Sequence, residues 1–183
     1  MCIRDSSYQG GFNFSKSNFD RVKQSFPQAG SSFKPFIYSA AIANGYKASD
    51  TINDAPIIFE DQNLESAWRP ENYTGKFYGP IRLREALVQS VNIVSIKLLR
   101  ELGIDKAHTF LENFGFPKSR LAPDLSLALG SSSFSPAEMI RAYNFLANSG
   151  EGKNLYFIEK IIDRDNNIIF QHPQAQTELD DTK

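Results

Sequence analysis

Residues 30–36 constrain the fold of this chain more than any other stretch, because two serines, a lysine and a proline stand there before an apolar run. Pro35 must lie in the first turn of a helix, since proline has no backbone N–H and clashes with a preceding turn. The apolar residues 37–43 extend that helix, and Gly45 predicts its end because glycine accepts the left-handed cap conformation. We therefore expect a mostly buried helix from about residue 31 to residue 44.

This helix start also carries a candidate chemical pair. Residues three apart share a helix face, so the Ser31 hydroxyl and the Lys34 amine can meet, whereas Ser32 has Pro35 at that spacing. A buried lysine can act as a base, because burial lowers its pKa from about 10.4, and a base makes a serine nucleophilic. Free N–H groups at a helix start favour both a neutral amine and a developing oxyanion. The alternative is a serine N-cap beside a solvated lysine, and the short pattern taken alone favours it.

Composition excludes several other kinds of site. The 183 residues are 41% hydrophobic, which suits one ordinary domain or part of a larger one. A net charge of -1 argues against a general nucleic-acid binder. Cys2 is the single cysteine, so a disulfide framework and a cysteine metal site are excluded. With only His108 and His172, neither a histidine metal site nor a Ser-His-Asp triad is well supported. The sequence contains no apolar run long enough to span a bilayer and no recognisable signal peptide.

The remaining patterns predict short elements separated by turns. Strands are expected at residues 8–14 and 56–59, and a hairpin is expected from 156–162 and 167–170. Further helices are expected at residues 80–89, 93–102, 105–114 and 136–147. Loops or irregular segments are expected at 15–29, 46–78 and 117–129. The helix at 136–147 opens with a capping box at Ser135, and its apolar face is expected to comprise Met139, Ile140, Ala142, Tyr143, Leu146 and Ala147.

A second pair of short polar side chains lies where two apolar helices meet. Ser90 and Asn92 fall between the helix ending near Gln89 and the apolar helix beginning at Ile93. One interpretation is that both side chains serve a site near free backbone groups. The alternative is capping, in which serine and asparagine satisfy the loose helix ends.

Four segments, taken in order, resemble the transpeptidase domain of class A penicillin-binding proteins. They are residues 30–36, 68–73, 90–92 and 127–136, and the resemblance extends from Gly10 to about Phe170. Ser31-x-x-Lys34 and Ser90-x-Asn92 match two motifs of this superfamily. The third, Lys-Thr-Gly, does not occur in these residues.

The resemblance implies an α+β fold, of which this chain looks like a mostly helical fragment of the penicillin-binding-protein and serine β-lactamase-like transpeptidase fold. Most of the antiparallel sheet is expected to be missing. Residues 10–170 would form the partial transpeptidase domain, residues 1–9 an unassigned tail or remnant, and residues 171–183 a polar, flexible end.

The mechanism implied by the resemblance is acyl transfer to a serine. Ser31 would attack the D-alanyl-D-alanine carbonyl of a peptidoglycan stem peptide, and Lys34 would take its proton. Ser90 would relay a proton to the leaving nitrogen, while Asn92 would bind the substrate amide and orient Lys34. β-Lactams would acylate Ser31 as mimics of the substrate, and no metal or organic cofactor and no nucleic acid would be involved. The site would face the extracytoplasmic side of the bacterial membrane, in the periplasm, held by an anchor that these residues do not include.

Two other functions remain open from the sequence. The same scaffold could serve a D,D-carboxypeptidase or a β-lactamase, or the helical part could be a non-catalytic binding module. In the family the Lys-Thr-Gly strand holds the substrate carboxylate and supplies one oxyanion N–H. Residues 1–183 alone are therefore expected to be weakly active or inactive.

Overall fold

The computed structural model describes residues 8–58, 68–153, 156, 158, 160–171 and 176–177. Its helices are α1 (Arg21–Gln24), α2 (Lys34–Ala43), α3 (Leu83–Val88), α4 (Asn92–Leu102), α5 (Ile104–Glu112) and α6 (Pro136–Ala147). Short 3-10 helices occupy Gly30–Phe33, Lys118–Arg120 and Leu125–Leu129. Its strands are β1 (Thr51–Asp54), β2 (Gly79–Arg82), β3 (Gly152–Lys153), β4 (Lys160–Ile162), β5 (Ile168–Gln171) and β6 (Gln176–Thr177).

The described residues confirm a mostly helical α+β chain whose strands form only three two-stranded sheets. They fall into two compact units. One is Pro27–Ser133, and the other combines Met1–Phe26 with Phe134–Lys183. The four candidate site residues all belong to Pro27–Ser133.

In the unit Pro27–Ser133, α2 packs against α4 and α5. The predicted helix at the Ser-x-x-Lys stretch is confirmed: a 3-10 turn at Gly30–Phe33 leads into α2, with Pro35 in its first turn. An aromatic cluster closes this core, with the ring centroids of Phe33 and Phe36 each 5.1 Å from that of Phe116. Offset and edge-on ring pairs add about 0.5–1.5 kcal/mol beyond the area they bury. The apolar helix predicted at residues 93–102 is confirmed as α4, which buries seven of its eleven residues.

The expected strand at residues 56–59 is wrong for the part that is described, and Phe59 lies outside the described residues. The strand is β1, in which Ile52 and Asp54 point inward while their neighbours face solvent. The predicted start of the next helix, at residue 80, is also wrong. Residues 79–82 form β2, antiparallel to β1, and α3 begins only at Leu83. Proline is compatible with an edge strand, where its missing N–H leaves no ladder bond unmade.

The second unit corrects two expectations near the N-terminus. Residues 8–14 form no strand, and the carbonyl of Gly10 accepts a hydrogen bond from the Arg21 N–H at 2.9 Å. The Tyr8 hydroxyl donates to the carboxylate of Asp20. The expected loop at residues 15–29 contains α1, which Asp20 caps by accepting from the Val22 N–H. Residues 1–7 of the expected tail lie outside the described residues.

The capping box that opens α6 is confirmed, since the Ser135 hydroxyl and the Glu138 side chain each bond the other's backbone N–H. Its expected apolar face is wrong in part: Ala142 and Phe145 are the buried residues, whereas Ile140, Tyr143 and Leu146 are exposed. Gly152 leaves room for the Phe145 ring, because a Cβ there would lie 2.0 Å from it.

The predicted C-terminal hairpin is confirmed as β4 and β5, which pair antiparallel across the turn that begins at Asp163, but the first strand is shorter than expected, because residues 156 and 158 are not part of it. The Asp163 carboxylate accepts hydrogen bonds from the backbone N–H groups of Asp165 and Asn167, both at 2.8 Å. Residues 157 and 159, within the first expected strand, lie outside the described residues, as do 172–175 and 178–183 of the expected flexible end.

Candidate active site

Lys34 is the first residue of α2, and only 1% of its surface is exposed. Its ammonium nitrogen donates three hydrogen bonds: to the Ser90 carbonyl at 2.6 Å, to the Ser90 hydroxyl at 3.0 Å and to Asn92 Oδ1 at 2.7 Å. None of these partners carries a charge. Burial without a compensating anion disfavours the ammonium form and lowers the pKa of Lys34 from 10.5 to about 8.

The three partners of Lys34 differ in what they can do when the amine loses a proton. The Ser90 carbonyl and Asn92 Oδ1 are acceptors only, so they hold two N–H groups in either protonation state. A hydroxyl both donates and accepts, so Ser90 Oγ can turn its proton toward a neutral amine. This arrangement keeps the nitrogen fixed while a proton passes to or from a hydroxyl, which is what a general base requires.

Ser90 owes its position to the way α3 ends. Its N–H bonds the Leu87 carbonyl at 3.0 Å, and the next N–H, of Val91, bonds the Ala86 carbonyl at 2.9 Å. This pair of bonds is the Schellman motif, whose first residue beyond the cap is left-handed and most often glycine. Ser90 has φ +53 there. The helix end explains the backbone conformation, and the bonds to Lys34 give the side chain at this position a separate role.

Asn72 caps the start of α4 from outside the helix. The residue at the N-cap position is Val91, which offers no side-chain cap. Instead, Asn72 Oδ1 accepts the backbone N–H groups of Asn92 at 3.0 Å and Ile93 at 3.2 Å. The capping alternative for the Ser-x-Asn joint therefore fails, because Ser90 and Asn92 point their side-chain oxygens at Lys34 while Asn72 caps the helix.

Ser31 lies in the 3-10 turn just before α2, where it lines a cavity of about 320 Å³. The residues that share this cavity with it are Asn72, Tyr73, Thr74, Tyr78, Gln89, Ser90, Val91 and Asn92. Within the described residues no side-chain hydrogen bond joins Ser31 to Lys34; the link is the Lys34 backbone N–H, which bonds the Ser31 carbonyl. The Ser32 hydroxyl turns back to the Ala29 carbonyl at 2.5 Å. Of the two serines, Ser31 is the one in the cavity.

The backbone before Ser31 is held by a close approach of two glycines. The Gly30 N–H bonds the Gly130 carbonyl at 2.9 Å, and the neighbouring Ala29 N–H bonds the Ser132 carbonyl at 3.0 Å. A Cβ on residue 130 would lie 2.0 Å from the Gly30 carbonyl oxygen, and Gly130 has φ +73. Only glycine fits this approach, which fixes the turn that carries Ser31.

The structure brings Lys34, Ser90 and Asn92 together by hydrogen bonds and places Ser31 at the same cavity. Sequence reasoning missed Asn72, which connects this cluster to buried Asp54. Its sequence signal was its place in residues 68–73, one of the four segments that carry the family resemblance, where no role was assigned to it. In the described part of the chain no group of metal-binding side chains gathers, and no helix has the length and hydropathy to cross a membrane.

Fold and site together define a class of protein in which a buried lysine with uncharged partners bonds one serine hydroxyl, and a second serine lines the adjoining cavity. The comparisons with known proteins agree. The chain matches the family described as Penicillin binding protein transpeptidase domain over residues 6–182. It belongs to that family, and the resemblance seen in the sequence is confirmed.

Among its relatives, penicillin-binding protein 1A of Pseudomonas aeruginosa is 48% identical over 165 residues, covering 90% of this chain and 20% of the relative. Penicillin-binding protein 1A of Escherichia coli is 41% identical over 162 residues, covering 88% of this chain and 19% of the relative. The chain thus spans about a fifth of the length of the curated relatives it matches.

Solved structures agree on the fold. The crystal structure of penicillin-binding protein 1A from Haemophilus influenzae superposes with a TM-score of 0.86 and 40% identity, covering 92% of this chain and 25% of that one. The penicillin G acyl-enzyme complex of penicillin-binding protein A from Mycobacterium tuberculosis gives a TM-score of 0.76 at 21% identity, covering 90% of this chain and 42% of that one. At that identity the second likeness shows the fold alone.

Proposed function

We propose that this chain carries the acyl-transfer site of a penicillin-binding D,D-transpeptidase that cross-links peptidoglycan stem peptides. The observation that carries the proposal is the buried amine of Lys34, which is bonded to Ser90 and Asn92 beside the cavity that Ser31 lines. Family membership supports the reaction class. The relatives are about five times longer than this chain, so the activity of the whole protein is part of the proposal.

In the proposed first step Ser31 Oγ attacks the carbonyl of the penultimate D-alanine, and neutral Lys34 takes the hydroxyl proton. The new C–O bond forms as the C–N bond to the terminal D-alanine breaks. The proton passes from Lys34 through the Ser90 hydroxyl to the leaving nitrogen, because Ser90 can both donate and accept. Asn92 Nδ2, which now donates to the Glu71 carbonyl at 2.9 Å, lies at the cavity and is the group proposed to bind the substrate amide.

In the second step a stem-peptide amine of a neighbouring strand attacks the acyl-serine. Its nitrogen forms a new C–N bond to the acyl carbon and loses a proton to Lys34, the C–O bond to Ser31 breaks, and Lys34 returns the proton to Ser31 Oγ. A β-lactam enters the same first step but keeps its leaving nitrogen tethered, so the acyl-serine persists. Metal ions and organic cofactors have no place in this scheme. The substrate implies a location on the extracytoplasmic side of the bacterial membrane, in the periplasm, with membrane attachment through a segment outside these residues.

The test is covalent labelling by a fluorescent penicillin. It uses the chain itself and an extended form that continues past Lys183 through a Lys-Thr-Gly strand. We expect the extended form to label, Ser31→Ala to abolish labelling and Ser32→Ala to retain it, because only Ser31 faces the cavity near Lys34. The 183-residue chain should label weakly or not at all. Equal labelling of Ser31→Ala and its parent would reject Ser31 as the nucleophile.

A further inference from the structure

The side chain of Asn72 connects three parts of the unit Pro27–Ser133. Its Nδ2 group donates to both carboxylate oxygens of Asp54, at 3.0 and 2.9 Å, and to the Lys76 carbonyl at 2.9 Å. Its Oδ1 accepts the first two backbone N–H groups of α4, those of Asn92 and Ile93. Asn72 is 6% exposed and Asp54 is fully buried. Every polar atom of the Asn72 side chain therefore has a partner.

We propose that Asn72, anchored by the buried carboxylate of Asp54, is a positioning residue that sets the start of α4 and thereby holds Asn92 against Lys34. The inference rests on the proposed acyl-transfer function and adds to it two residues, Asn72 and Asp54, that lie outside the Ser-x-x-Lys and Ser-x-Asn motifs. Asn72 acts through Asn92, although its side chain also lines the cavity.

Only a side chain with one donor end and one acceptor end fits this position. Asp54 and the Lys76 carbonyl can only accept, whereas the two N–H groups of α4 can only donate. A carboxylate at residue 72 would place two like charges together in the interior. An apolar residue of the same size would take away the described donor to Asp54 Oδ1 and the described acceptor of two helix N–H groups, and each unsatisfied buried group costs about 1–3 kcal/mol.

Asn72 is linked to Lys34 through the backbone N–H and the side-chain amide of Asn92. The backbone N–H of Asn92 bonds Asn72 Oδ1, and its side-chain Nδ2 bonds the carbonyl of the adjacent Glu71. The remaining polar atom of that side chain, Oδ1, accepts from Lys34 at 2.7 Å. A shift of the 71–72 backbone therefore moves the acceptor that holds the Lys34 amine.

Asp54 is fixed in turn by the strand that carries it. It ends β1, opposite Gly79 of β2, and its Oδ2 also accepts the Tyr78 N–H at 2.9 Å. Its carboxylate thus receives donors from two loop segments, at residues 72 and 78. The two-stranded sheet is in this way connected to the start of α4 through one amide side chain.

The first experiment compares Asn72→Ala with Ser95→Ala in the extended form. Ser95 is a matched control because it is fully buried on the same helix and its hydroxyl bonds the Val91 carbonyl at 2.8 Å and the Tyr38 hydroxyl at 3.4 Å, whereas the hydrogen bonds described for Lys34 go to Ser90 and Asn92. We expect Asn72→Ala to slow penicillin acylation at pH 8 about 100-fold, the scale of a misplacement near 1 Å, and Ser95→Ala to keep the parent rate. Equal rates for Asn72→Ala and its parent would overturn the proposal.

The pH profile separates positioning from a general loss of stability. Burial is what lowers the pKa of Lys34, so a loosened α4 start that admits water should raise both that pKa and the midpoint of the acylation profile. Ser95→Ala should leave the midpoint near pH 8, even where its melting temperature falls as far as that of Asn72→Ala. An unchanged midpoint in Asn72→Ala contradicts the inference.

A charge exchange tests the Asp54–Asn72 pair even where a single variant folds badly. Asn72→Asp alone should lose acylation because it opposes two carboxylates. The double variant Asp54→Asn/Asn72→Asp restores a donor facing an acceptor between residues 54 and 72 and keeps an oxygen for the two α4 N–H groups, but it removes the donor to the Lys76 carbonyl. We therefore expect partial rescue, with a plateau rate at high pH between that of Asn72→Asp and that of the parent. Failure of the double variant to exceed Asn72→Asp would overturn the proposal.

The pKa of Lys34, followed by NMR of its labelled ε-carbon, distinguishes failure of this inference from failure of the proposed function. If Ser31→Ala is still labelled, the proposed function is wrong, and the role of Asn72 is then decided by the NMR titration alone. A Lys34 pKa that rises in Asn72→Ala but not in Ser95→Ala supports positioning by Asn72. A pKa that is the same in both variants and the parent rejects it.

Discussion

Replacing Ser90 with glycine separates what this position does for the backbone from what its hydroxyl does for Lys34. At φ +53 a residue with a Cβ is strained by about 1 kcal/mol relative to glycine. The hydroxyl accepts from Lys34 at 3.0 Å, a bond whose net contribution to folding is also about 1 kcal/mol. The two changes oppose each other, so the free energy of unfolding of Ser90→Gly should lie within about 1 kcal/mol of the parent.

Acylation should respond very differently from stability. Without the hydroxyl, a proton on Lys34 has no relay to the leaving nitrogen, and loss of a positioned proton-transfer group costs about 10²–10⁴-fold in rate. The assay is the rate of fluorescent penicillin labelling in the extended form, beside a thermal melt of the same preparation. We expect a melting temperature within about 4 °C of the parent and a rate lower by at least about 100-fold.

Ser149→Gly is the matched control for the backbone strain that Ser90→Gly relieves. Ser149 follows α6 as Ser90 follows α3, with φ +55, and the next N–H, of Gly150, bonds the Phe145 carbonyl at 2.8 Å. Ser149→Gly should raise the melting temperature by about 2–4 °C and leave labelling unchanged. Parent-like labelling of Ser90→Gly would refute the relay. A melting temperature far below the parent would instead assign the hydroxyl a structural role.

The remaining predictions concern Lys34 and Gly130. Because burial lowers the pKa of Lys34 to about 8, the acylation rate should rise with pH around that midpoint, and a flat profile there would contradict a lysine base. Lys34 also loses its proton at a lower pH in the folded chain than in the unfolded chain. The free energy of unfolding should therefore increase as the pH rises from about 8 to 10.5. Gly130→Ala should lower both the melting temperature and the labelling rate, because its Cβ would lie 2.0 Å from the Gly30 carbonyl. Gly45→Ala, with φ +96 and open space, should show only the backbone cost of about 1 kcal/mol, and equal losses in the two variants would argue against the close approach.

The elements that the sequence predicts well are those specified by neighbouring residues. Pro35 and Gly45 delimit α2, and the capping box at Ser135 begins α6, because these signals act within one or two helical turns. The motif pairs are equally local, so the sequence alone is enough to identify the candidates Ser31, Lys34, Ser90 and Asn92. Their roles in catalysis stay predictions.

The features that the sequence does not predict depend on residues far apart along the chain. β1 and β2 pair across 24 intervening residues, and Pro80, which resembles a helix start locally, belongs to the second of these strands. The cap of α4 comes from Asn72, twenty residues before Asn92, while the residue at the cap position itself, Val91, has no capping group. Pattern reading assigns each residue to its own segment, and these pairings exist only after the segments meet.

In the proposed mechanism, proton transfer and substrate binding depend on different parts of the protein. Every hydrogen bond described for Lys34 and Asn92 has its partner within Pro27–Ser133, as does the glycine contact behind Ser31. The ionisation of Lys34 therefore depends on contacts within this unit. Binding of the substrate carboxylate is expected, from the family resemblance, to depend on the Lys-Thr-Gly strand, which these residues do not contain. Slow labelling by the 183-residue chain could then arise from a misplaced lysine or from a weakly held acyl donor. If the pKa of Lys34 in the 183-residue chain equals that in the extended form, the lysine is not misplaced. The slow labelling is then explained by weak binding of the acyl donor.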